Sequence, residues 1–136
     1  MDKSRFKELE HTADLAVQLN APGMPELLGI ATAALHAVQQ LEFSPSSQHP
    51  ISLSLQAPDR ETLLVQWLEE ELYSLETAGR AWLSWSITMT GGSSLHADIQ
   101  TAPVASFRLD IKAVTFHNLH ILESVSGLET VVVFDV

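Results

Sequence analysis

Two aspartates sit where an apolar pattern leaves little room for charge. Asp14 follows Glu10-His11-Thr12-Ala13 and is succeeded by Leu15, Ala16 and Val17. Asp135 comes directly after Val131-Val132-Val133-Phe134, one residue before Val136. A carboxylate at the end of a buried strand costs free energy unless it is paired or holds a cation. If the first and last strands are neighbours, Asp14, Asp135 and the oxygens of Val136 come together. Such hard oxygen donors suit Ca²⁺, Mg²⁺ or Mn²⁺, not zinc or copper. Lys112, within Asp110-Ile-Lys-Ala-Val-Thr115, is the counter-charge that the chain itself supplies. The same spacing also fits strand-end aspartates that simply face solvent.

Other routes to chemistry are thin. There is no cysteine, hence no thiolate ligand, thiol nucleophile or disulfide. The six histidines include no helical pair with a glutamate between them. His117 and His120, placed in a strand, would point to opposite faces. Gly91-Gly92 is a hairpin signal, not a phosphate-binding loop opening a helix. No serine occupies a nucleophile-elbow context.

The elements that must position these residues are two amphipathic helices and a set of strands. Pro22-Gly23 and Pro25 open the first helix, whose stripe is Leu27, Leu28, Ala31, Ala34, Leu35, Val38 and Leu41. It ends before the Ser44-Pro45-Ser46-Ser47 loop. The second helix starts at Asp59, a good N-cap, buries Leu63, Leu64, Trp67, Leu68, Leu72 and Leu75, and stops near Gly79. Glu71 interrupts that stripe and Glu70 lies at its edge. The expectation is that Glu71 reaches to a groove rim, since a buried carboxylate there needs a partner that the sequence does not name. Strands are predicted over Phe6–Gln18, Ile51–Ala57, Leu83–Thr90, Leu95–Thr101, Leu119–Ser124 and Thr130–Phe134. The unbroken apolar run of the last one suggests burial on both faces. The expected architecture is a single α+β domain over residues 1–136, with seven or eight strands in mixed or antiparallel sheets and two helices.

Charge narrows the partners. Seventeen acidic residues against seven Lys and Arg give a formal net charge of −10. That opposes direct binding of nucleic acid or of an anionic membrane surface and favours cations and basic proteins. No segment has the length of apolar sequence a membrane span requires, and the N-terminus lacks a signal-peptide core. A cytoplasmic location is the resulting expectation.

Four blocks, in order, carry a resemblance. Phe6 with Glu10-His11-Thr12-Ala13-Asp14, Leu63-Leu64-Val65-Gln66-Trp67-Leu68, Ile111-Lys112-Ala113-Val114-Thr115-Phe116-His117, and Val133-Phe134-Asp135-Val136 resemble the archease family. The resemblance implies the compact archease fold and a non-enzymatic accessory protein for the RNA-splicing ligase RtcB, promoting its guanylylation and multiple turnover. It also implies a divalent ion, usually calcium, held by Asp14, Asp135 and Val136. Lys112 falls on the functional lysine, with His11 and His117 beside it in the partner-facing blocks. A tRNA methyltransferase is a second client that the resemblance suggests. The chain departs from the pattern at Glu71, where leucine is usual, and at Phe116, where tyrosine is usual. It also lacks a Gly-Glu pair in the 101–107 segment. Two other functions compete with the ligase activator. One is a chaperone or specificity factor for RNA-modifying enzymes; the other is a small metal-dependent phosphohydrolase, which lacks a recognisable base or nucleophile.

Overall fold

Helix α1 (Met24–Gln39) begins after Gly23 with Pro25 in its first turn, where a missing N–H costs nothing. It closes at Gln40, which adopts a left-handed conformation (φ 51°). Helix α2 (Arg60–Ala78) is capped by Asp59, whose side chain accepts a 2.7 Å hydrogen bond from the Thr62 N–H. Gly79 ends it at φ 66°, donating to the Leu75 carbonyl at 3.0 Å. The computed structural model describes residues 14–116 and 118–136. His11, His117 and the first part of the expected N-terminal strand therefore lie outside the described residues.

Among the described residues eight strands form two antiparallel sheets. They are β1 (Asp14–Ala21), β2 (Glu42–Phe43), β3 (His49–Gln56), β4 (Arg80–Gly91), β5 (Ser94–Ser106), β6 (Ala113–Thr115), β7 (Leu122–Ser124) and β8 (Gly127–Asp135). In the first sheet β8 is central: β1 pairs along its whole length, and β6 and β7 pair with its two ends. In the second, β5 is central, between β4 and β3, with β2 on its last residues. Each helix touches strands of both sheets: α1 packs on β1 and β4, and α2 on β3, β4 and β6. Leu27, Leu28 and Leu35 of α1, Leu63, Trp67 and Leu68 of α2, Ile99, Val132 and Phe134 form one core cluster. Burying each such side chain contributes about 1.5–3 kcal/mol.

Three expectations shift. β8 alternates instead of burying both faces: Leu128, Thr130, Val132 and Phe134 point inward, while Val131 is 48% exposed. Its neighbours on both sides cover its edges, not its outer face. The predicted Leu119–Ser124 strand shortens to β7, because Leu119 and Ile121 turn into the core as a loop. Ala113–Thr115 pairs as β6, a strand too short for periodicity to show. The last hairpin depends on Gly127, at φ 123°, where a Cβ would lie 2.4 Å from the Ala21 carbonyl oxygen.

Candidate functional site

The pairing of β1 with β8 sets Asp14 directly opposite Asp135. Leu15 and Phe134, the next pair, belong to the core-facing rows, so both aspartates stand on the other face of the sheet. Directly opposed side chains in an antiparallel pair have Cβ atoms about 4.5–5.5 Å apart, and like charges there repel. On the far side of β8, Asp135 is opposite Ala113 of β6, a residue without charge. Asp14 is exposed and Asp135 half-buried. The sequence condition for a cation site, adjacent first and last strands, is thus met by these two residues.

Lys112 approaches this pair through its backbone. Its N–H donates to the Asp135 carbonyl oxygen at 2.8 Å, extending the β6–β8 ladder by one residue. Its exposed side chain lines a cleft beside α2 and makes no ion pair among the described residues. Lys112 thus meets the Asp135 backbone, and among the described residues its ammonium neutralises neither aspartate. Val136 packs its side chain against the core, which leaves its backbone oxygens at the same strand end. Among the described residues no group of three or more His, Asp or Glu is gathered to hold a metal ion. The donor set here is two carboxylates and the Val136 oxygens. These are all hard oxygens, a chemical match to Ca²⁺, Mg²⁺ or Mn²⁺ with part of the coordination shell left to water or a partner.

Glu71 departs from the expected position at a groove rim. It is 2% exposed, and its Oε2 accepts a 2.9 Å hydrogen bond from the Trp82 backbone N–H. The same oxygen is paired with Nε2 of His36, in the last turn of α1. The helix, pressed between α1 and β4, gives the glutamate stem no path to water, so Oε2 takes both of its partners from inside the protein. The His36 ring packs edge-on against Phe43, with centroids 5.8 Å apart. Oε1 of Glu71 has no partner among the described residues. Sequence reasoning singled out Glu71 and missed His36. The signal was a histidine at the end of α1, four residues after Thr32, which itself faces the α2 residue Trp67.

The archease protein family model matches residues 6–136, nearly the whole chain. The chain belongs to the archease family. Among curated relatives, the archease of Methanosarcina barkeri is 29% identical over 143 residues, with 97% of this chain and 96% of the relative covered. That of Methanosarcina acetivorans is 28% identical over 142 residues at the same coverage. The crystal structure of an archease from Thermotoga maritima, described as a possible chaperone, superposes with a TM-score of 0.74 at 23% identity, covering 93% of each chain. The solution structure of a Methanobacterium thermoautotrophicum protein gives a TM-score of 0.65 at 22% identity, covering 92% of this chain and 94% of that one. These two likenesses establish the α+β archease fold, as expected from the sequence. No helix among the described residues is long and apolar enough to cross a membrane.

Proposed function

We propose that this chain is a divalent-cation-binding accessory protein that activates the RNA-splicing ligase RtcB, promoting its guanylylation and multiple turnover. The observation that carries the reading is the register of the first and last strands, β1 and β8, which sets Asp14 opposite Asp135, whose carbonyl accepts from the Lys112 N–H, in an archease chain. Asp14, Asp135 and the Val136 oxygens would hold the cation. When bound, it supplies a positive, Lewis-acidic centre at an otherwise anionic strand end. Lys112 would present its positive charge to the partner from the cleft beside α2. The net charge of −10 would steer a basic, RNA-handling protein towards this surface, with a rate that falls as salt is raised.

A single-turnover guanylylation assay of RtcB with and without the chain tests this reading. The expected result is faster guanylylation with the wild type and loss of that acceleration in Asp14→Ala and Asp135→Ala, both still folded. Full acceleration by both variants would overturn it. A second reading, a chaperone for RNA-modifying enzymes such as a tRNA methyltransferase, is favoured by the description of the Thermotoga relative as a possible chaperone. It predicts protection of several unrelated clients from aggregation, with little dependence on the ion.

A further inference from the structure

We propose that the cleft beside Lys112 is a docking surface for a basic segment of the protein partner, one that presents Lys or Arg next to an apolar side chain. The inference rests on the reading of the chain as an accessory to another protein. The cleft, of about 440 Å³, lies between the end of α2 and the 107–112 segment. Its polar rim is Glu76, Asp110 and Lys112, two exposed carboxylates against one ammonium. Its apolar part is built by Leu75 and Phe107, with the amide of Gln39, a residue only 2% exposed, at the wall.

The chemistry of that lining selects the occupant. Phosphate backbones are repelled by the excess of carboxylate. A hydrated metal ion gains nothing from Phe107 and Leu75, and no group of three His, Asp or Glu is gathered among the described residues. A guanidinium or ammonium on an aliphatic stem uses both halves of the site, the head against Glu76 and Asp110, the stem against the ring. Phe107 is 42% exposed and also walls a second recess of about 310 Å³ with Gly79 and Val104. A large exposed aromatic set between two recesses has the form of an interface anchor. At the rim of the cleft, Lys112 donates its N–H to the Asp135 carbonyl oxygen at 2.8 Å, which fixes the backbone there to the end of β8.

Two measurements on the full chain separate docking from activation. Fluorescence anisotropy gives the affinity for RtcB; the guanylylation assay, run over a range of chain concentrations, gives the half-maximal concentration and the plateau. Glu76→Gln with Asp110→Asn, and separately Phe107→Ala, should weaken binding about tenfold and raise the half-maximal concentration alike, with the plateau unchanged. The loss in the charge variant should shrink as salt is raised. Unchanged affinity in both variants, or a lowered plateau at unchanged affinity, would overturn the docking cleft. A wild type that binds RtcB without accelerating guanylylation would overturn the activator reading instead, and the affinities would still decide the cleft. A wild type that does not bind overturns both.

Discussion

Glu71 and the Asp14–Asp135 pair both place carboxylates in apolar sequence, but Glu71 finds its partners inside the described chain and the pair does not. At Glu71, the Trp82 N–H and His36 supply donors within a closed core, and the carboxylate ties α1 to α2 and β4. At the strand end, two carboxylates face one another, and among the described residues Lys112 lends its backbone and not its ammonium. The difference teaches where to look for function. A charge held by internal donors belongs to the architecture, whereas two opposed carboxylates with no partner among the described residues are where the proposed cation would act.

That contrast can be broken most forcefully at the buried pair. His36→Ala should destabilise the fold by about 3 kcal/mol, because Glu71 keeps only the Trp82 donor in a dry site. Adding Glu71→Gln to it should restore part of that loss, since the unpaired charge is removed while the amide oxygen still accepts from the Trp82 N–H. Urea unfolding of the single and double variants measures both numbers, and additive losses would contradict the coupling. At the strand-end pair the sign should invert. Asp14→Asn with Asp135→Asn should leave stability in cation-free buffer unchanged or raise it by about 0.5 kcal/mol, through relief of like-charge repulsion. A large loss in the same unfolding experiment would mean that the pair is structural like Glu71.

The smallest effect is expected at a third carboxylate, the exposed cap Asp59. The side-chain and backbone hydrogen bonds from Thr62 hold its carboxyl below the ordinary value of 3.8. Its folded pKa is depressed, so its contribution is full above about 3.8 and disappears as pH falls through the folded value. Asp59→Ala should lower Tm slightly at pH 7, and the gap to wild type should close in acid. A gap that persists below the folded pKa would point to lost packing instead of lost capping.

Much of this was legible in the chain because local rules and tertiary packing agreed. Pro25, Asp59 and Gly79 placed the helix ends close to where they fall. Gly91-Gly92 and the flanking alternation located the β4–β5 hairpin, although both strands run further than the alternation shows. The Asp14–Asp135 juxtaposition was legible only as a condition on strand neighbours, since register is a long-range property. What stayed hidden was also long-range. Nothing local to Glu71 names His36, thirty-five residues away. The three residues of β6 become a strand because β8 offers them an edge, and Val131 is exposed because nothing among the described residues covers the outer face of β8.

The central claim is that Asp14 and Asp135 together hold a divalent cation, and calorimetric titration of the chain with Ca²⁺ tests it most directly. The account predicts saturable one-site binding to the wild type, a Tm that rises with Ca²⁺ concentration, and loss of both in Asp14→Asn with Asp135→Asn. Equal binding by the double variant, or no binding by the wild type to Ca²⁺, Mg²⁺ or Mn²⁺, would contradict it.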